Sequence, residues 1–281
     1  MSRTTVSLMT LALACILTLP AHAGTVITRM SDRQNVTFSQ LVADAGNSEL
    51  ILIGESHDNR SHHDMQLAVI RSLWAKKFPL AIGLEMMQSD SQPELDDWVS
   101  GKMNEEAFRV AFAENWSDWD MYRDIFIFAR DNRIPMIAMN VPKEIVKKVA
   151  HQGWGSLTAE EKQGLPDGIS CDLRNPHTVF LKKTFKEMFM HLPDKNIFDY
   201  FCQAQTLRNS GMALQIARYV KKNPGRKVVG LTGIWHAIKN AIPEQLERNG
   251  NKLPCTVILP SIPELAAVNT AASEADYLVE L

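Results

Sequence analysis

The feature that most constrains the fold is a set of short apolar runs, each of which ends in polar residues. Residues 50–53 are apolar, Glu55 follows closely, and His57 stands two positions further on. Residues 80–84 form a second such run, and Glu85 comes next. A short continuous apolar run between turn or polar residues is typical of a strand buried on both faces of a parallel sheet. The pattern predicts an α/β fold with polar groups where the strands end.

Further segments fit the same architecture. Residues 134–140 form a third buried run, and residues 227–233 form another that leads into His236. Apolar residues recur at helical spacing over residues 62–77, as expected for the helix of a βαβ unit. Additional strands are predicted at 25–30, 254–259 and 277–281, the last at an edge of the sheet. We therefore predict a parallel sheet flanked by helices, with a small helical subdomain inserted.

The helical insertions are expected at roughly residues 92–130 and 153–200, because apolar and aromatic residues there recur at three- or four-residue steps. A long helix follows over residues 198–220, and Gln205 and Arg208 interrupt its apolar face. An arginine on an inner face is rarely buried without a partner. Glu55 or Glu85 is the expected partner of Arg208.

The N-terminus has the form of a secretory signal. Residues 6–19 are largely apolar, and residues 21–23 (Ala-His-Ala) match a signal-peptidase site. This predicts a signal peptide over residues 1–23, a single domain over residues 24–281, and a periplasmic location. An alternative is cleavage before Cys15, which would give an outer-membrane lipoprotein; simple secretion is favoured.

Composition and cysteine content exclude some classes of partner and site. The chain has 281 residues and a net charge of −2, so neither nucleic acid nor an anionic membrane surface is expected as a partner. Cys171, Cys202 and Cys255 follow the signal, and an odd number leaves at least one free thiol or an intermolecular bond. The chain has no CxxC pair, so a zinc–thiolate site is not expected.

The strand ends bring together residue types that carry chemistry. Glu55, His57, Glu85 and His236 would meet at one edge of a parallel sheet, with Arg208 nearby. Two carboxylates and two imidazoles could hold a divalent metal with open positions for water or substrate. The same set could instead form a hydrogen-bonded polar floor beneath a pocket. The residues alone leave both interpretations open.

These segments resemble the ChaN-type haem-binding uptake proteins of the Tiki superfamily. The resemblance covers about residues 26–260 and is carried by an ordered set of motifs. The motifs are Gly54-Glu55-Ser56-His57-Asp58, His62-His63-Asp64-Met65-Gln66, Gly83-Leu84-Glu85-Met86, residues 116–122, residues 135–140, Gln203-Ala204-Gln205, Met212-Ala213 and Gly233-Ile234-Trp235-His236-Ala237. The chain departs from the family pattern at two positions. Asn209 stands where an aspartate is usual, and Trp235 stands where glycine is frequent. The tryptophan is expected to narrow the pocket mouth.

The resemblance implies a haem pocket between the sheet and the helical subdomain, and two stacked haems across a homodimer. It also implies a tyrosine as axial ligand, for which Tyr122 and Tyr200 are the candidates. Arg208 is the cation expected near the propionates. Apolar walls are expected from Trp116, Trp119, Met86, Met87 and Phe201.

Two functional hypotheses follow. The first, which we favour, is a secreted haem-binding protein of haem or iron uptake that passes haem to or from an outer-membrane receptor. The second is a metal-dependent peptidase or esterase, because the wider superfamily includes proteins similar to such enzymes. In that alternative, Glu55, His57, Glu85 and His236 hold a metal that activates water, and Arg208 stabilises the oxyanion.

Overall fold

A computed structural model describes residues 25–185 and 196–281 of the chain. The predicted signal peptide and the alternative lipidation site at Cys15 lie outside these residues. The strands are β1 (Val26–Arg29), β2 (Gln34–Asn35), β3 (Leu50–Glu55), β4 (Leu80–Gln88), β5 (Met136–Asn140), β6 (Lys227–Gly233), β7 (Cys255–Pro260) and β8 (Tyr277–Glu280). They form one sheet in the order β2-β1-β8-β7-β3-β6-β4-β5.

The helices of the described residues stand between strands along the chain, and several follow one another without an intervening strand. They are α1 (Phe38–Ala45), α2 (Arg60–Ala75), α3 (Gln92–Ser100), α4 (Glu105–Asn115), α5 (Trp119–Asp131), α6 (Lys143–Gln152), α7 (Ala159–Lys162), α8 (Pro176–Thr184), α9 (Ile197–Lys222), α10 (Ile234–Ala237) and α11 (Ile242–Arg248). None of these helices is long and apolar enough to cross a membrane.

The centre of the sheet is parallel, which confirms the predicted α/β class. Strand β3 pairs in parallel with β6 and β7, and β4 pairs in parallel with β6 and β5. One apolar core contains residues of α1 to α5, and another contains residues of α9 to α11. Since both faces of the sheet are covered, all six residues of β3 are buried.

The position predicted for the last strand was wrong. Strand β8 pairs in parallel with β7 and antiparallel with β1, so it lies inside the sheet rather than at its edge. The antiparallel pair β1–β2 follows beyond it, and β2 is the edge strand. Three of the four residues of β8 are buried. A four-residue segment, three of whose residues are apolar, does not reveal whether a further hairpin covers its outer side.

Glycine at position 54 allows two elements to approach each other at the end of β3. A Cβ on Gly54 would lie 2.7 Å from Cδ2 of Leu259 and 3.2 Å from Cα of Ile234. The first turn of α10 therefore packs directly on the end of β3. This contact brings His236, which lies on α10, to the edge of the sheet where Glu55 and His57 lie.

A disulfide joins Cys171 to Cys202 and links the segment before α8 to the first half of α9. Cys255 is the free cysteine of the described residues. Burial raises the pKa of the Cys255 thiol to about 12, so little reactive thiolate exists at neutral pH.

Thiol titration checks this arrangement. In denaturant without reductant, Cys255 is expected to react with a thiol reagent, whereas Cys171 and Cys202 react only after reduction. In the native protein Cys255 should react slowly, because its thiol is held protonated. A C255A variant serves as the control, since it should then show no thiol from the described residues before reduction. Labelling of Cys171 or Cys202 in the unreduced, denatured protein would contradict the pairing.

Candidate functional site

The first half of the site is a buried carboxylate with several donors. The Oε1 atom of Glu55, at the end of β3, accepts hydrogen bonds from the Tyr122 hydroxyl at 2.5 Å and from Nδ1 of His57 at 2.8 Å. The Oε2 atom accepts a bond from Nε2 of Gln66 at 2.7 Å. Asn59 caps α2 by accepting a bond from the Ser61 amide, and this sets the start of the helix that carries Gln66. Glu55 is therefore a well-satisfied buried acid.

The His57 ring is held by this carboxylate but remains accessible. Its side chain is 42% exposed, whereas that of Glu55 is fully buried. Burial tends to lower the pKa of His57, but the hydrogen bond to Glu55 and the charge of Glu85 raise the pKa above its ordinary value. A histidine oriented by a carboxylate with its other ring edge free has the geometry of a general base or acid.

The second half of the site centres on Glu85. The pairing of β4 with β5 shifts register between Leu84 and Gln88, and this irregularity contains Glu85. Its Oε1 atom accepts a hydrogen bond from Nη2 of Arg208 at 2.5 Å, and its Oε2 atom accepts one from the Gly233 amide at 2.6 Å. The predicted pairing of Arg208 with one of the two carboxylates is thus confirmed, with Glu85 as the partner.

The charge state of Glu85 follows from these contacts. Burial opposes ionisation, but the imidazolium that His236 forms in the acidic range where Glu85 titrates, the guanidinium of Arg208 and the Gly233 amide bring the pKa of Glu85 down to about 2. Arg208 also donates from Nε to the side-chain oxygen of Asn140 at 3.3 Å. Its remaining terminal nitrogen, Nη1, makes no hydrogen bond to a described residue. That nitrogen is available to a ligand.

A small space at Gly233 lies between the half of the site that contains Glu55 and His57 and the half that contains Glu85. A Cβ on Gly233 would lie 3.1 Å from Nε2 of His57 and 3.6 Å from Oε2 of Glu85. The free edge of His57 and the carboxylate of Glu85 therefore face the same point. A side chain at position 233 would fill that point, which explains why the chain needs glycine there.

The set proposed from the sequence as a metal site is divided between these halves. Glu55 is hydrogen-bonded to His57, Glu85 is hydrogen-bonded to Arg208, and Nε2 of His236 lies 3.6 Å from Oε1 of Glu85. In residues 25–185 and 196–281, no group of three or more histidine, cysteine and carboxylate side chains is arranged to hold a metal ion. The geometry is that of a hydrogen-bonded polar floor, the other interpretation left open by the sequence.

The structure places the two candidate haem tyrosines in different environments. Tyr122 is fully buried and donates to Glu55, and burial together with that carboxylate raises the pKa of Tyr122 well above its ordinary value. Tyr200 is partly exposed near the start of α9, and its ring lies against Gly153, where a Cβ would come within 2.7 Å of it. The Tyr200 hydroxyl makes no hydrogen bond to a described residue. Trp116 is partly buried and packs edge-on against His57, with ring centroids 5.0 Å apart.

Several expected pocket walls are core residues instead. Met86, Met87 and Trp119 are buried in the core that also contains α3 to α5, so they cannot line an accessible pocket. An accessible apolar surface lies elsewhere, in a group of partly exposed aromatic rings that we call the aromatic cluster. Its members are Phe180, Phe185, Phe198, Phe201 and Trp235. Phe201 and Arg208 lie seven residues apart on α9, on nearly the same helical face.

Three buried polar residues of the site received no role from the sequence. Asn140 ends β5 and positions Arg208, Asn209 bonds to His236, and His177 bonds to the Trp235 carbonyl. Asn140 stood at a predicted strand end, which was the available signal. Asn209 stood out as a departure from the family pattern. Nothing in the local sequence distinguishes His177.

A cavity of about 430 Å³ lies beside this floor, between the C-terminal ends of the strands and α9. Asn140 lines it together with Val141, and Arg218 and Gly211 line it from α9. Gly211 allows α9 to pack closely on the residue that follows β5, since a Cβ at position 211 would clash with the Val141 side chain. The cavity and the polar floor thus share Asn140 as a common wall.

The fold and the site together define an α/β protein with a polar floor at the carboxyl edge of a parallel sheet, where ligands of such folds bind. A family model described as "Haem-binding uptake, Tiki superfamily, ChaN" matches residues 41–246. This chain belongs to that family, and the resemblance inferred from its motifs is confirmed.

Two solved structures are similar to this chain, and the first has the same fold. One described as cofacial haem binding to ChaN of Campylobacter jejuni is 18% identical, with a TM-score of 0.74 over 92% of this chain and 97% of that chain. An erythromycin esterase is 13% identical, with a TM-score of 0.48 over 92% of this chain and 82% of that one. The second similarity is too low to indicate anything about activity.

A curated relative matches part of the chain. The chloroplastic Protein RETICULATA-RELATED 5 of Arabidopsis thaliana is 22% identical over 125 residues, which is 42% of this chain. The match spans 17% of the Arabidopsis protein, so this chain corresponds to a small portion of that relative.

Proposed function

We propose that this chain is a secreted haem-binding protein of haem or iron uptake that holds haem through Tyr200. Membership of the haem-binding uptake family supports haem as the ligand. The observation that carries the choice of ligand residue is the contrast between the two tyrosines. Tyr200 is partly exposed with its hydroxyl unbonded among the described residues, whereas the Tyr122 hydroxyl is buried against Glu55.

An iron ligand must lose its proton and reach the metal. Tyr122 would have to leave a 2.5 Å bond to a buried carboxylate, and its raised pKa opposes formation of tyrosinate. The Tyr277 hydroxyl donates to Asp44, so it too already has a hydrogen-bond partner. Tyr219 is half-buried and lies nineteen residues beyond Tyr200 on α9, about 28 Å along the helix axis. Tyr200 is therefore the tyrosine that best fits the role of an iron ligand.

The surroundings of Tyr200 suit a large flat cofactor with acidic groups. Haem requires apolar walls and cations near its propionates. The aromatic cluster includes Phe201, the next residue along α9, and supplies partly exposed apolar surface. Arg208 lies two helical turns further on and keeps Nη1 for a carboxylate. When bound, the cofactor would supply an iron centre, and these residues would orient it.

Secretion is supported by the Cys171–Cys202 disulfide, because such bonds persist in oxidising compartments such as the periplasm. The signal-like N-terminus supports the same location. A homodimer with stacked haems and transfer through an outer-membrane receptor remain predictions that belong to this proposal.

Titration of the purified protein with haemin, followed by absorption spectroscopy, tests the function. We expect a saturable Soret band with the features of tyrosinate coordination, because a phenolate oxygen is the proposed ligand. A Tyr219→Phe variant should give the same titration, since that residue lies at the far end of α9. The absence of a saturable Soret change would overturn the proposal. Stoichiometric bound metal in the same haem-free sample would favour the hydrolase hypothesis instead.

A further inference from the structure

A row of buried polar side chains lies beneath the candidate site and ends beside Glu85. His177, Asn209 and His236 are only 5%, 1% and 3% exposed. They are hydrogen-bonded in series: His177 to Asn209 at 3.5 Å, and Asn209 to His236 at 2.5 Å. A neutral imidazole has one donor and one acceptor nitrogen, and a side-chain amide has a donor nitrogen and an acceptor oxygen. The hydrogen-bond partners at the two ends of the row therefore determine which nitrogen of each imidazole carries the proton.

The far end of the row is a backbone carbonyl. Nε2 of His177 lies 2.7 Å from the oxygen of Trp235, which can only accept. The proton of His177 must then be on Nε2. Burial lowers the pKa of His177 to about 4, so the ring is neutral at pH 7 and its Nδ1 is an acceptor.

This acceptor sets the orientation of the Asn209 amide. The amide nitrogen must face Nδ1 of His177, because the opposite orientation would bring two acceptors together. The amide oxygen then faces Nδ1 of His236 at 2.5 Å. An oxygen acceptor at that distance requires a proton on Nδ1 of His236. Burial lowers the pKa of His236 to about 3, so no second proton is expected at pH 7.

We propose that His177 and Asn209 are positioning residues that keep the proton of His236 on Nδ1, so that its Nε2 atom is a hydrogen-bond acceptor in the floor of the site. Nε2 lies 3.6 Å from Oε1 of Glu85, which is also an acceptor, and Arg208 donates to the same oxygen. The relevance to ligand binding rests on the proposed function, whereas the proton position does not.

This arrangement has a consequence for recognition. Nε2 of His236 accepts a hydrogen bond, and Nη1 of Arg208 is free to donate one. The groups that fit such a pair carry an O–H or N–H donor beside an acceptor oxygen, as a protonated carboxyl group or a carboxamide does. A carboxylate such as a haem propionate can accept from Nη1 of Arg208, and Nε2 of His236 then needs a separate donor, such as a water molecule. The charges that face this edge are those of Glu85, Arg208 and His57.

Nitrogen NMR of the ligand-free, ¹⁵N-histidine-labelled protein at pH 7 tests the proposal. The expected spectrum of His236 shows Nδ1 shifted as a protonated nitrogen and Nε2 as a bare one, with the resonances assigned by their loss in His236→Gln. In Asn209→Asp, a carboxylate faces Nδ1 and favours the imidazolium, so both nitrogens should become protonated. The matched control is Asn223→Asp near the C-terminal end of the same helix, which should leave the His236 spectrum unchanged.

The outcomes are unambiguous. A proton on Nε2 of His236 in the wild-type protein, alone or together with one on Nδ1, would overturn the proposal. An unchanged His236 spectrum in Asn209→Asp would do the same. If Asn209→Asp does not fold, His177→Phe is the second variant. It removes the fixed end of the row and should populate the form of His236 that is protonated on Nε2. An unchanged His236 spectrum in His177→Phe would also contradict the proposal. No haem is present, so failure of the haemin titration leaves this result unaffected.

Discussion

Replacing Arg208 by methionine is expected to lower the free energy of unfolding by about 3–5 kcal/mol, because it leaves a buried carboxylate without its cation. Glu85 is 1% exposed, and Arg208 contacts it at 2.5 Å. Methionine preserves much of the apolar volume of the arginine side chain, so the lost free energy of unfolding comes mainly from removal of the guanidinium charge. Urea unfolding followed by circular dichroism gives the measurement.

Two further variants distinguish the stability lost with the Arg208–Glu85 ion pair from the stability lost with the packing of the arginine side chain. Adding Glu85→Gln to Arg208→Met should recover most of the loss, since the amide is neutral and its oxygen still accepts from the Gly233 amide. Arg218→Met changes an exposed arginine on the same helix and should alter stability by no more than about 0.5 kcal/mol. A loss below about 1 kcal/mol in Arg208→Met would mean that the pair contributes little.

The pH dependence of this effect has a definite sign. The pKa of Glu85 is about 2 in the folded protein and lies near its ordinary value of 4.5 in the unfolded chain. Stability from ionised Glu85 is therefore fully present above about pH 4.5 and is lost as the pH falls toward 2. The difference corresponds to about 3 kcal/mol. The destabilisation by Arg208→Met should accordingly shrink between pH 6 and pH 3, and a constant difference would contradict the assigned ion pair.

The second large effect concerns the proposed iron ligand. Tyr200→Phe should abolish the tyrosinate features of the haemin complex and weaken haemin binding by more than about 100-fold, since loss of supporting contacts around a metal alone costs about 10–100-fold. The substitution removes only a hydroxyl that has no partner among the described residues, so the free energy of unfolding should change little. Absorption titration and urea unfolding of the same preparation measure both quantities.

Tyr122→Phe is the matched control for that substitution. It removes a donor to the buried Glu55 carboxylate, so it should destabilise the fold by about 1–3 kcal/mol while keeping the tyrosinate spectrum. The reverse pattern, in which Tyr122→Phe loses the spectrum and Tyr200→Phe retains it, would transfer the ligand role to Tyr122. It would also require the Tyr122 hydroxyl to leave Glu55 when haemin binds.

Much of the sheet could be predicted because each buried strand carries its own signal. The apolar runs that contain β3 and β4 are long enough to identify parallel strands, and the polar residues after them mark the edge where the site lies. The pairing of Arg208 with a strand-end carboxylate also followed from local pattern. A charged residue on an otherwise apolar helical face needs a partner, and two of the predicted strand ends offered acids.

The errors share a physical cause, which is dependence on distant segments. Strand β8 was predicted at an edge of the sheet, and only its pairing with β1, from the other end of the chain, makes it internal. Met86 and Met87 directly follow Glu85 in the sequence, yet helices α3 to α5 cover them and remove them from any pocket. The local sequence cannot show which elements pack over a residue.

By itself, the sequence determined the α/β class, the family, the acids and histidines at the strand ends and the face of α9 that carries Arg208, because short-range periodicity and motif order encode these properties. The tertiary structure alone decided which partner each polar group has. It joined Glu55 to Tyr122 across 67 positions and Arg208 to Glu85 across 123 positions, and it paired Cys171 with Cys202. Hydrogen bonds and ion pairs depend on distances of a few ångströms between atoms, and such distances exist only once the chain has folded.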